Sequence, residues 1–190
     1  MDAFPRRRPR KPASRKEARA NQRWRLLGAM AHVVGVEGYA GASIAQVIAR
    51  AGVSRKAFYE YFADKEDCFL AAYEELSARL VRALVEEGTA GPRGRRTQAQ
   101  LRLYLKSLSD DLPLARAFVI EVFAAGPRAL ALREEVNRRF SELVFGHTSA
   151  EPLVRKAIIG GVNDVVAGAL LGGKKDLLGL LPHLVRFAGR

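Results

Sequence analysis

The sequence has little of what would tie it to an oxidising compartment, a metal or a membrane. Cys68 is the only cysteine among 190 residues, so no intramolecular disulfide can form and nothing points to an oxidising compartment. The three histidines, His32, His147 and His183, lie far apart and have no ligand spacing with Cys68, so no metal site is expected. No Ser/His/Asp or Cys/His arrangement can be argued from the order of residues, so the chain is expected to be no enzyme and to need no cofactor. The arginines of Met1–Pro12 are followed by no apolar run, unlike a signal peptide. The longest bland stretch, Ala157–Gly173, contains Asn163 and Asp164 and is short for a membrane span. A cytoplasmic protein without a membrane partner is expected.

What the chain does have is positive charge, unevenly placed. The net charge is +12. Residues 1–65 hold 14 Lys+Arg against 5 Asp+Glu, whereas residues 66–190 hold 18 against 15. The first third therefore carries most of the attraction for polyanions, and the remainder reads as an ordinary neutral domain. Residues 1–13, rich in Pro and Arg, read as a disordered basic arm that follows phosphates or is a passive tail.

No segment alternates with period two over a useful length, so the chain is expected to be all-α. Ser14 and Glu17 have the spacing of a capping box, and Trp24, Leu27, Ala31 and Val34 follow with helical period up to Gly38. Ser43 caps a short helix near Ile44–Arg50, and Ser54 caps another near Arg55–Tyr61. Asp64 opens a long helix from Lys65 to about Gly88. Further helices are expected at about Thr97–Ser109, Pro113–Ala125, Arg128–Phe145, Pro152–Leu171 and Lys175–Ala188. The expected units are the arm 1–13, a three-helix unit 14–64 and a larger helical domain 65–190.

Gly38–Leu70 carries the functional signal. Two short helices meet at Ala51-Gly52-Val53, where Gly52 takes a positive φ without steric cost. Such a unit can lay its second helix in the major groove. Ile44, Val47, Val53, Phe58 and Phe62 suit its inner face, leaving Arg55, Lys56 and Tyr59 outside. Arg55 and Lys56 can donate to guanine O6/N7 or to phosphate, and Tyr59 and Tyr61 to phosphate. Lys65 stands in a first helical turn, where free N–H groups also favour an anion. The bland reading makes Arg55 and Lys56 a solvated face and the aromatics core.

The segment resembles the TetR family of bacterial regulators through Gly38-Tyr39, Ser43-Ile44, Ala51-Gly52-Val53-Ser54, Phe58-Tyr59-Glu60-Tyr61-Phe62 and Asp64-Lys65-Glu66. Ile48 stands where the family often has Ala, and Ala45 where Arg is common, which leaves the operator sequence open. The resemblance implies DNA contacts from Ser43, Arg55, Lys56, Tyr59, Tyr61 and Lys65, with the capping Ser54 beside them. It also implies a homodimer whose larger domain binds a small-molecule inducer, and hence a repressor released from double-stranded DNA. A charge-driven architectural binder and a helical enzyme are the rival readings.

Two groups of residues in the larger domain become candidates on that basis. Ala157, Gly161, Val165, Gly168 and Gly172 fall along one stripe, where small residues let another helix approach, either of a partner subunit or of the same one. Tyr104, Leu108, Phe118, Glu121, Val122, Phe140 and Asn163 are the candidates to face an apolar cavity, with Glu121 favouring a cation. Gly168–Lys174 has the spacing GxxxxGK of a phosphate loop, but Lys175 replaces the required Ser or Thr and a helix precedes it.

Overall fold

A computed structural model describes residues 14–87, 93–145 and 151–188, and the basic arm lies outside them. The described residues form nine α-helices and no strand: α1 (Arg15–Gly41), α2 (Ile44–Ala51), α3 (Arg55–Tyr59), α4 (Lys65–Glu87), α5 (Arg93–Asp110), α6 (Leu112–Val119), α7 (Pro127–Phe145), α8 (Pro152–Leu171) and α9 (Leu181–Ala188). No helix among them is long and apolar enough to cross a membrane.

The caps expected from sequence form. The Ser14 hydroxyl accepts from the Glu17 N–H at 3.1 Å, and that of Ser54 accepts from the Ala57 N–H at 3.1 Å. Ser43 and Gln46 close a reciprocal box: Ser43 Oγ accepts from Gln46 N and Gln46 Oε1 accepts from Ser43 N. Gly38 (φ 77°) kinks the last turn of α1, and Gly52 (φ 62°) turns the chain between α2 and α3.

Two of the expected helices break. The expected Pro113–Ala125 helix stops at Val119, and Glu121–Ala125 is a 3₁₀ turn. Ile120 leaves helical geometry at φ −113°, and the chain tightens to a three-residue bond from Phe123 N–H to the Ile120 carbonyl. The expected Lys175–Ala188 helix begins only at Leu181. Ahead of it Leu177 is drawn fully inside, its N–H donating to Ser109 Oγ at 3.0 Å.

Two large hydrophobic clusters run through the described residues, with a small third one around Ile159. One joins α1–α3 to the first half of α4, to α6 and to Val122, Ala125 and Ala129. The other joins the later α4 to α5, α8 and α9. The tightest crossing is α1 on α6, where a Cβ at Gly35 would lie 1.8 Å from the Pro113 carbonyl oxygen. Only a residue without a side chain lets the two backbones meet there.

Candidate nucleic-acid interface and ligand cavity

The helix-turn-helix is held by its inner face. Val47 and Phe58 are fully buried, and Phe62 is nearly so. Phe58 sits edge-on to Tyr59 and tilted against Phe62, with centroids 5.4 and 5.7 Å apart. With Phe58 pinned inward, the 100° step of the helix turns Lys56 and Tyr59 away from it, and Arg55 stands exposed at the start of the helix. All three are exposed, Tyr59 at 51%, and Ser43 and Ser54 are exposed beside them at the two helix starts. This face carries two cations and no carboxylate until Glu60.

Tyr61 and Lys65 face inward. The Tyr61 hydroxyl donates to the Arg19 carbonyl at 3.2 Å. Lys65 Nζ donates to the carbonyls of Tyr39 (2.8 Å) and Ala42 (3.1 Å) and lies 4.5 Å from the Tyr39 ring centroid. These carbonyls end α1, where the helix dipole and the free oxygens favour a cation. To bind phosphate, both side chains would have to share or leave these partners.

A cavity of about 70 Å³ lies between α4, α5, α6, α7 and α8. Tyr104, Leu108, Phe118, Phe140 and Asn163 line it, together with Tyr73, Leu76, Leu114, Arg133 and Asn137 among others. Tyr104 donates its hydroxyl to Asn163 Oδ1 at 2.8 Å, and Asn163 Nδ2 donates to Asn137 Oδ1 at 3.3 Å. Burial pushes the Tyr73 phenol up to about 12 and that of Tyr104 higher still, so both are neutral donors.

Glu121 and Val122 are corrections to the sequence reading, because neither lines this cavity. The helix break at Ile120 turns Glu121 toward α1. There Glu121 Oε2 accepts from the Tyr39 N–H at 2.9 Å, directly after the kink at Gly38. Val122 is buried in the cluster shared with α1. The sequence signal for Arg133 and Tyr73, which do line the cavity, was only their helical spacing from apolar neighbours. A second hollow, an open groove between α7 and α8, is lined by the ion pairs of Lys156 with Glu134 and Arg138 with Glu135, and by Arg155 and Arg133, the latter shared with the cavity.

Glu121 thus ties the wall of the cavity to the end of the DNA-binding unit. Glu121→Ala should lower stability by about 1–2 kcal/mol, because the Tyr39 N–H loses a charged acceptor. A urea midpoint within error of the parent would show that the bond carries no stability.

The stripe on α8 is exposed. Ala157, Val165, Gly168 and Gly172 face outward next to Leu153, Val154 and Leu171, and the exposed Phe187 of α9 continues the surface. A Cβ at Gly168 would meet nothing within 4 Å, whereas one at Gly161 would lie 3.0 Å from the Phe187 ring. Gly161 therefore lets α9 close on α8 within the protomer.

Cys68 is fully buried, and burial raises its thiol pKa well above the ordinary value, which makes it a packing residue. Asp67 next to it adds to the rise.

Residues 26–72 match the family model for bacterial regulatory proteins of the tetR family. A sequence search of curated proteins finds no match. Among solved structures, the fatty acid degradation regulator FadR from Bacillus halodurans superposes with a TM-score of 0.77 at 21% identity, covering 87% of this chain and 98% of its own. FadR from Bacillus subtilis, solved with stearoyl-CoA, gives 0.77 at 16% identity over 86% of this chain and 95% of its own. A TetR-like regulator from Rhodococcus sp. RHA1 gives 0.65 at 21% over 97% of this chain and 100% of its own. At such identities the structural likeness speaks for the fold, and the family model speaks for the DNA-binding segment. Residues 26–72 thus carry a DNA-binding segment of the tetR type, set in a fold that the chain shares with solved TetR-like regulators.

Proposed function

We propose that the protein is a homodimeric repressor in the cytoplasm that binds a palindromic operator and is released by a small-molecule inducer. The observation that carries this is the outward face of α3, where Arg55, Lys56 and Tyr59 stand clear of the fold above a fully buried Phe58. Residues 14–64 are the DNA-binding unit, residues 65–190 bind ligand and partner, and the basic arm 1–13 reaches further phosphates. Two copies of α3 would enter successive major grooves about 34–36 Å apart. The neutral C-terminal two-thirds argue against a binder that uses charge alone.

The inducer would occupy the cavity between α4 and α8. Ligand pockets usually measure about 300–1,000 Å³, so a cavity of about 70 Å³ must open to take one. Opening would push on Leu114 and Phe118 of α6, which packs on α1 and leads directly into Glu121. The ligand would then favour a conformation in which the two recognition helices no longer match the operator. By linkage, DNA must weaken ligand binding by the same factor.

Selection of bound duplexes from a random pool tests the reading. A two-fold symmetric consensus is expected. Enrichment of no sequence at moderate salt would leave only non-specific binding.

Dimerisation is assigned to the exposed face of α8 and α9. Gly168→Leu should yield monomers that bind the operator poorly, and the open space around Gly168 means that the protomer itself tolerates the change. A stable dimer by light scattering in this variant would remove that face from the interface.

A further inference from the structure

We infer that the cavity takes an amphipathic anion, with an apolar body between the helices and one carboxylate or phosphate head on Arg133. This rests on the inducer site proposed above and names its ligand class. Among the described residues, Arg133 is the only charged side chain on the cavity wall. Among the described residues no carboxylate lies within ion-pair distance of it. The nearby glutamates are engaged elsewhere: Glu134 with Lys156, Glu135 with Arg138 and Arg139, and Glu121 with the Tyr39 N–H. The Arg133 guanidinium has as its partner the ring of Phe123, 4.6 Å away and itself 56% exposed.

An uncompensated guanidinium beside an apolar cavity favours an anion and repels a cation, because water there cannot screen it fully. Its planar fork of donors matches a carboxylate or phosphate. The Tyr73 hydroxyl belongs to the same cavity, has no hydrogen-bond partner among the described residues and supplies a second donor. The amides cannot set the charge preference, since Asn137 and Asn163 are neutral and can donate and accept alike, and Asn163 is already held between the Tyr104 hydroxyl and Asn137 Oδ1. The remaining wall is mainly Leu, Val and Phe, which accepts the apolar body.

The head could belong to a free aliphatic acid or to the phosphates of its coenzyme A thioester. Full-length protein without DNA would be titrated with dodecanoic acid, dodecan-1-ol, dodecylamine and dodecanoyl-coenzyme A, and with shorter and longer homologues of each. The acid or the thioester should bind about tenfold or more tighter than the alcohol, as a charged pair of hydrogen bonds would give, and the amine weakest of all. Arg133→Gln should bring the anion to within a few-fold of the alcohol while leaving the alcohol unchanged. Preference for the acid assigns the head to a carboxylate, and preference for the thioester assigns it to phosphate. Equal affinity for acid, thioester and alcohol overturns the inference. So does a preference that survives in Arg133→Gln, or no binding by any of the ligands. Release of operator DNA is read separately: an anion that binds through Arg133 yet leaves the DNA complex intact would refute the inducer reading and not the charge preference.

Discussion

Gly35→Ala should destabilise the protein by about 3 kcal/mol or more, whereas Gly28→Ala, two turns earlier in the same helix, should stabilise it. The added atom is the same in both. At Gly35 it would lie 1.8 Å from the Pro113 carbonyl oxygen and 2.7 Å from the Pro113 Cα. These are backbone atoms, so relief requires α1 and α6 to move apart through the core that also holds Val34 and Leu114. Overpacking of this kind costs about 1–3 kcal/mol where side chains can adjust and more where they cannot. At Gly28 the new Cβ meets nothing within 4 Å on an exposed helical face. There Ala gains about 0.5–1 kcal/mol by restricting the unfolded chain. Urea denaturation of the two variants would decide it. Equal and small changes would mean that α1 and α6 cross loosely in solution. Because this crossing joins the DNA-binding unit to the cavity wall, Gly35→Ala should also weaken the response of DNA binding to a ligand.

Lys56→Ala and Tyr59→Ala should each lower operator affinity about 10- to 100-fold at unchanged thermal stability, the range of a good base contact. Both side chains are exposed and their removal leaves no buried group without a partner. Lys65→Ala should behave differently. Its ammonium holds two carbonyls at the end of α1, so the fold should lose about 1–3 kcal/mol, and DNA affinity should fall through that loss. The slope of log affinity against log salt separates the cases. If Lys56 neutralises one phosphate, its removal should reduce the slope by about 0.9, while Lys65→Ala should leave it unchanged. A reduced slope with parental stability in Lys65→Ala would make Lys65 a phosphate ligand after all.

Local signals made the DNA-binding segment legible in the sequence. Ser43, Ser54 and Gly52 act within one helical turn of themselves, through short hydrogen bonds and a positive φ. A chain of 33 residues from Gly38 to Leu70 therefore carries its own punctuation. The turning of exposed Lys56 and Tyr59 away from buried Phe58 follows from the helical period. The same holds for the exposed stripe on α8, whose small residues recur every three or four positions.

Tertiary structure decided the roles of the charges. Glu121 lies in an apolar run and read as a cation anchor, but the break at Ile120 points it at Tyr39, 82 positions away. Lys65 read as a phosphate ligand, yet its partners are carbonyls 26 and 23 positions earlier. Arg133 shares α7 with Arg128, Arg138 and Arg139, and nothing in its neighbourhood along the chain marks it as the one without a carboxylate. Caps and helical faces are set by atoms a few residues apart, so the sequence by itself determined them. Which charge a buried or half-buried group meets depends on how distant helices cross. Here that depends on the close passage of α1 over α6, which a single missing side chain at Gly35 permits.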